Sequence, residues 1–280
     1  MITHDSMSNI ISVVIQHVKK YLSKKGLYEP IYRIWIKRPD IRLALYNSGY
    51  KLAGALDGLP IPPIRLIELV QSRGEVAIYL KGGERGIDSI NNALLHNGYH
   101  VEMFERVLDF GCGCGRIMWW WHGVKGPSFY GTDLNPVLIS WCQAKLGKLA
   151  EFKTNELLPP MDYPDKFFDF IYSVSVFTHL SWHVQDEWMR EFHRVLKDSG
   201  LLLITVHGEW RINDLDADEQ AKFNSGQLIV KGSELEGSND CCAYHPQAYV
   251  RNHLARDFEV LYYLPTGAID VGQDLYLLLK

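Results

Sequence analysis

Asp109-Phe-Gly-Cys-Gly-Cys-Gly115 sets glycines at alternate positions directly behind the strand-forming residues Val107, Leu108 and Phe110. Glycines there allow sharp backbone angles and let a ligand lie against the main chain. A strand, a tight glycine turn and a helix start together make a pocket for a nucleotide-like ligand. A second strand candidate, Ser128-Phe-Tyr-Gly-Thr-Asp133, ends in an acid that can accept hydrogen bonds from both hydroxyls of a ribose. Three histidines, His179, His207 and His245, offer neutral imidazoles near pH 7 and so can take a proton from a reacting group. A dinucleotide site also wants glycines and a later acid. The alternate spacing here, and an acid inside the strand ahead of the glycines, do not follow the dinucleotide pattern.

The elements that must position these residues alternate along the chain. Strands are expected at Val107–Phe110, Phe129–Thr132, Glu151–Lys153, Phe168–Val174 and, after a turn at Lys197–Gly200, Leu201–Val206. Helices are expected between them at Arg116–His122, Pro136–Leu146 with Asn135 as cap, and Trp182–Leu196. That alternation implies a parallel sheet with helices on both faces, and places ligands outside the carboxyl ends of the strands. His207 has the strongest topological claim on such a site. Residues 208–257 read as an insertion or lid, with a small strand at Gln227–Lys231 and a helix at Gln247–Ala255 opened by His245-Pro246. Phe258–Tyr263 and Leu275–Leu279 close the chain as a hairpin.

Ahead of this body, Ile10–Leu22 has helical apolar spacing, and Pro30–Tyr50 holds a further aromatic-rich helix. Leu59-Pro-Ile-Pro-Pro63 marks the break between an N-terminal helical cap, 1–62, and the main body, 63–280. Tyr79–Gly86 is expected as a glycine loop before a helix at Asp88–Asn97, with two cations, Lys81 and Arg85, on it. One of Trp119, Trp120 and Trp121 is expected to pack against the cap.

Composition excludes several classes. The 280 residues are 47% hydrophobic and 22% charged, ordinary for a globular protein. A net charge of -4 argues against a broad nucleic-acid footprint. No apolar run is long enough to span a bilayer, and Met1–Ser8 lacks a secretory pattern, so a cytoplasmic protein is expected. The five cysteines read as free thiols. Cys112 and Cys114 are half of a zinc set without a second pair, so no metal is expected.

Asp109–Gly115, Gly131-Thr-Asp133 and Phe168-Asp-Phe-Ile-Tyr-Ser-Val-Ser-Val-Phe-Thr-His-Leu180, in that order, resemble the class I S-adenosylmethionine-dependent methyltransferases, over roughly Val101–Lys280. The resemblance implies an α/β fold: a seven-stranded, mostly parallel Rossmann-like sheet with an antiparallel last strand. It implies S-adenosylmethionine as cofactor. Gly111 and Gly113, with Phe110 beside them, would approach its methionine and ribose parts. Asp109 would bind the amino end, Asp133 the ribose hydroxyls, and Leu134 would pack on the adenine. Asn155 or Glu156 would meet the adenine amine, the amide being the better candidate because it donates and accepts. Ser173 and Val174 would lie beside the sulfonium, and Phe177 would cover the cofactor from the helix side.

The form Ser-Val-Phe-Thr-His-Leu is similar to enzymes of bacterial polysaccharide and natural-product clusters. The expected activity is O-methylation of a saccharide-like or other small-molecule acceptor, with His207, His179 or His245 as base. N-methylation, a protein acceptor, or a non-catalytic cofactor-binding scaffold are the alternatives. No acid pair follows the fourth strand, which argues against magnesium assistance. Neither nucleic acid nor integral membrane is expected as a partner; monomer and homodimer both stay open.

Overall fold

A computed structural model describes residues 47–53, 55, 58–71 and 74–280. The expected helix at Ile10–Leu22 and most of the cap lie outside the described residues. Three helices come first, α1 (Ser48–Ala53), α2 (Ile64–Gln71) and α3 (Val76–His96). The body then runs β1 (Arg106–Phe110), β2 (Ser128–Asp133), α4 (Pro136–Leu146), β3 (Ala150–Thr154), β4 (Phe168–Ser173), α5 (Trp182–Val195) and β5 (Leu196–Val206). A smaller set follows: α6 (Ala217–Asn224), β6 (Ile229–Lys231), β7 (Cys242–Tyr244) and the single turn α7 (Gln247–Tyr249). The last strands are β8 (Glu259–Ala268) and β9 (Gln273–Leu279).

The seven-stranded sheet has the order β3-β2-β1-β4-β5-β9-β8. Strands β1 to β5 pair in parallel, and β9 enters antiparallel between β5 and β8. Alternation along β1 sends Val107 to one core and Leu108 and Phe110 to the other. The first core packs Ile87 and Ile90 of α3 and Ile139 and Cys142 of α4 against the sheet. The second packs Trp188 and Phe192 of α5 on the opposite face. Both faces are thereby covered, as a parallel sheet requires. The order reverses beside β1, so β1 and β4 open the crevice where ligands bind.

Four local expectations are corrected. Tyr79–Gly86 is not a loop: it lies within α3. Its glycines serve close packing. A Cβ at Gly83 would strike the Arg116 carbonyl, and one at Gly82 the Arg116 guanidinium. Glycine in a helix costs roughly 1 kcal/mol against alanine, and here the cost lets α3 press on the chain that leaves the glycine turn. Arg116 in turn pairs with buried Asp270 at 3.0 Å. Lys81 and Arg85 are exposed on α3, and Lys81 pairs with Glu84, so neither reaches the cleft.

Arg116–His122 forms only a short 3-10 turn, Met118–Trp121. Its Trp121 is buried in the first core, stacked on Phe129, with its indole N–H donated to Tyr172, while Trp120 meets α3 at Gly83. The expected turn at Lys197–Gly200 is absorbed into β5, with Ser199 left-handed at φ 64. The helix expected at Gln247–Ala255 is one α turn followed by a wider π turn, Val250–Leu254.

Candidate functional site

The glycine turn leaves β1 with Gly111 at φ 77 and Gly113 at φ 56, angles that strain any L side chain. It is tied to β2 by two N–H donors, Gly111 and Cys112, on the Thr132 carbonyl at 2.8 and 2.9 Å. Val176 lies directly on Gly111, and Val70 of α2 lies where a Cβ of Gly113 would be, 2.9 Å away. Cys112 and Cys114 are buried under the turn, and burial pushes both thiols up, which makes them inert packing groups. Among the described residues no group of three or more histidines, cysteines or acids is placed to hold a metal.

Several buried polar atoms around this turn have no partner within the chain, and they fit the cofactor that the sequence implies. Asp109 Oδ2 and Ser173 Oγ are two, at the ends of β1 and β4; Asn155 Oδ1, beyond β3, is a third. Burial raises the Asp109 carboxyl to about 8, against a hydrogen bond from Tyr172 that lowers it. A cationic amino group is the partner that would restore its charge. Asp133 takes the Gly113 N–H on Oδ2 at 2.9 Å and the Asn135 N–H on Oδ1 at 2.8 Å. Each oxygen keeps a second lone pair for a ribose hydroxyl. Leu134 is exposed beside it, where an adenine face would lie, and Asn155 donates its amide to the Glu156 carbonyl, which leaves its buried Oδ1 as a free acceptor.

Three expected cofactor contacts find other places. Phe110 packs between Trp188 and Phe192, so only its main chain borders the turn. Glu156 is exposed. Phe177 is fully buried near Phe192 in the second core, and the side chain lying on the glycine turn is Val176.

The end of β4 is held by a closed hydrogen-bond ring that sequence reading missed. Ser175, left-handed at φ 62, donates its N–H to Thr205 Oγ1 at 2.8 Å; Thr205 donates to Gln273 Oε1 at 2.7 Å; Gln273 Nε2 donates to Ser175 Oγ at 2.8 Å. Gln273 therefore fixes the loop that carries Val174 and Val176. Asp274 beside it is buried and accepts from the Tyr263 hydroxyl and the Thr266 N–H, which commits it to its own hairpin.

The three histidines come together beyond β4 and β5. His207 follows the last residue of β5 and bridges to Tyr244, and its carbonyl accepts the His245 N–H at 2.7 Å. His179 donates Nδ1–H to the Cys241 carbonyl at 2.7 Å. A carbonyl only accepts, so Nε2 of the neutral ring is left with its lone pair. Burial holds the His179 ring below its ordinary 6.5. His207 is pushed down to about 4 by burial, Arg211 and His179. His245 is fully buried and pushed down to about 3, chiefly by burial, with Nε2 on Gln185 Oε1 at 3.2 Å. The Gln185 amide is already donated to the Phe177 and Leu180 carbonyls, so His245 must donate, and it anchors the segment rather than facing the cleft.

Residues 108–204 match the family model described as a methyltransferase domain. Over 109 residues the chain is 28% identical to the phosphoethanolamine N-methyltransferase of Plasmodium falciparum, a match covering 38% of this chain and 41% of that relative. The fold is similar to an S-adenosylmethionine dependent methyltransferase from Mesorhizobium loti, with a TM-score of 0.53 and 15% identity, over 70% of this chain and 100% of the other. It is also similar to the magnesium protoporphyrin IX methyltransferase of Synechocystis, solved with bound SAH, with a TM-score of 0.50 and 16% identity, over 86% of this chain and 98% of the other.

Proposed function

We propose, from the premise that this chain belongs to the class I S-adenosylmethionine-dependent methyltransferases, that it methylates an oxygen of a saccharide-like or other small acceptor with His179 as the base. When bound, the cofactor supplies an electrophilic methyl on a sulfonium and keeps the bonding pair on sulfur as the methyl leaves. The chain's residues do the rest. Asp109 and Asp133 hold the two polar ends, Val176 and the glycine turn fix the depth, and Leu134 and Asn155 take the base. The acceptor oxygen forms the new bond to carbon, and its proton passes to Nε2 of His179. His207, kept neutral, faces the same region as the second proton acceptor, and His245 holds the covering segment in place.

The observation that carries this reading is the bond from His179 to the Cys241 carbonyl at 2.7 Å, which fixes the basic tautomer. A separate open depression of about 660 Å³ near the start of α5, lined by Trp182, Tyr249, Gln227 and Asn252 and by none of the three histidines, offers ring faces and amides to a remote unit of a saccharide-like acceptor. The second reading, N-methylation, is favoured by the name of the Plasmodium falciparum relative. Among the described residues no helix is long and apolar enough to cross a membrane.

The test is release of S-adenosylhomocysteine across nucleotide sugars, phenolic metabolites and phosphoethanolamine. With the best acceptor, His179→Ala should lower kcat by about 10²- to 10⁴-fold and leave cofactor affinity by calorimetry unchanged. The acid limb of kcat/KM should lie below the 6.5 of an ordinary imidazole. Full turnover in His179→Ala would remove it as the base. Cofactor binding without turnover on any acceptor would favour the scaffold reading.

A further inference from the structure

The hairpin formed by β6 and β7 carries an excursion, Gly232–Cys241, that makes contacts at two separate functions. At one end it touches the adenine side of the cleft. A Cβ on Gly237 would lie 2.8 Å from Leu134 Cδ2 and 3.2 Å from Leu157 Cδ1. At the other end it supplies the Cys241 carbonyl that sets the His179 tautomer. Between them it is pinned to the chain beyond β4. The Gly237 N–H donates to the His179 carbonyl at 2.9 Å, and the Ser181 N–H donates to the Glu236 carboxylate. Asn239 Nδ2 reaches back to the Leu69 carbonyl at 3.1 Å, on the helix whose Val70 lies on Gly113.

Glu236 is the unusual member. Ser181 stands at the N-cap of α5 and its own hydroxyl makes no capping bond. The cap is instead a carboxylate delivered from fifty-five positions away, where the helix dipole favours negative charge. The stem of the excursion is fixed by the register Lys231↔Cys242, and Gly232 turns it at φ 68. Seating the excursion and orienting the imidazole are thus one event, because the same few peptides do both.

We propose that Glu236 and Asn239 are positioning residues that latch Gly232–Cys241 over the adenine side of the cleft, and that this seating is what arms His179 as a base. The inference rests on the reading of His179 given above, and it adds that cofactor occupancy and imidazole tautomer are linked. By reciprocity, whatever favours the seated excursion tightens the cofactor and holds the tautomer together.

Nitrogen NMR of the His179 ring tests this, with S-adenosylhomocysteine as the probe and no turnover required. In the wild-type chain the Nδ1–H tautomer should dominate, more so with the probe bound. In Glu236→Ala the two tautomers should mix, the ring should titrate closer to 6.5, and probe affinity should fall about 5- to 20-fold. Glu236→Gln, which keeps an acceptor without the charge, should fall between. Asn239→Ala should weaken probe binding in the same direction. If Glu236→Ala does not fold, hydrogen exchange of the wild-type Ser181 and Gly237 amides decides: both should slow together when the probe binds. An unchanged tautomer and affinity in the variants, or amides indifferent to the probe, would overturn the linkage. Turnover surviving in His179→Ala would overturn the base assignment and leave these measurements able to judge the latch by itself.

Discussion

The two ends of the cleft are built in different ways. The cofactor end is framed by main chain: Gly111 and Gly113 turn, and Asp133 binds the Gly113 N–H twenty residues back and the Asn135 N–H two residues on, while Val70 and Val176 are brought onto the turn from other parts of the chain. The acceptor end is made of side chains that meet only after the chain has returned. His179 and Cys241 are 62 positions apart, Gln185 and His245 60, and Ser175 and Gln273 98. The difference teaches where each function is vulnerable. A wall of backbone conformation fails through one wrong side chain, whereas a wall of long-range partners fails through loss of orientation while the pocket survives.

Gly111→Val is the hardest blow to the first wall. A β-branched residue would have to adopt φ 77 and would collide with Val176. Cofactor affinity by calorimetry should fall by about 100-fold or more, since strain and clash together cost several kcal/mol. Circular dichroism should separate this from unfolding. Retained micromolar binding would break the contrast, because the turn would then be ordinary loop. The contrast sharpens if His179→Ala, at the other wall, leaves the same binding untouched.

Asp109 gives a smaller effect with a distinctive sign. Its carboxyl sits near 8 because it is buried, so at pH 7 it is mostly protonated. A bound ammonium favours the ionised form, so binding releases a proton at pH 7. Affinity should therefore rise with pH towards about 8 and then level off. Titrations in buffers of different ionisation enthalpy count the released proton. Asp109→Asn should abolish the pH dependence and weaken binding by about 10- to 100-fold at pH 8, the range of a hydrogen bond to a charged group. An unchanged pH slope in that variant would assign the proton elsewhere.

Legibility in the sequence follows the same division. The sheet, its hairpin end and the glycine turn could be read because strand formers, glycines and one capping asparagine act through local conformation. The loop expected at Tyr79–Gly86 failed for a physical reason: glycine signals a turn or a close approach, and only the partner, Arg116, distinguishes them. Val176 lies on the turn in the place expected of Phe177 because the 3-10 turn after Ser175 places Phe177 in the core, and the Ser175 hydroxyl ahead of it is held by Gln273. Topology puts His207 first among the three histidines, and the preference for His179 as base comes only with its partners. That preference needs Cys241 and Gln185, which no local pattern links to the histidines.

The smallest effect tests how far the acceptor end extends. Trp182 is 58% exposed at the first position of α5, on the rim of the 660 Å³ cavity. Next to it the Tyr249 and His253 rings meet at a tilt, with centroids 4.9 Å apart. Ring faces suit the C–H faces of a sugar, and the Gln227 and Asn252 amides can pair with its hydroxyls as donor and acceptor. Such a surface would hold a remote unit of an extended acceptor, and it would add binding that is equal in ground and transition states. Trp182→Ala should then raise KM by about 3- to 10-fold for an oligosaccharide, with kcat and cofactor affinity unchanged. A monosaccharide acceptor should show no difference. If both acceptors respond alike, the cavity is continuous with the reacting site; if neither does, the acceptor end stops at the histidines and owes its selectivity to them.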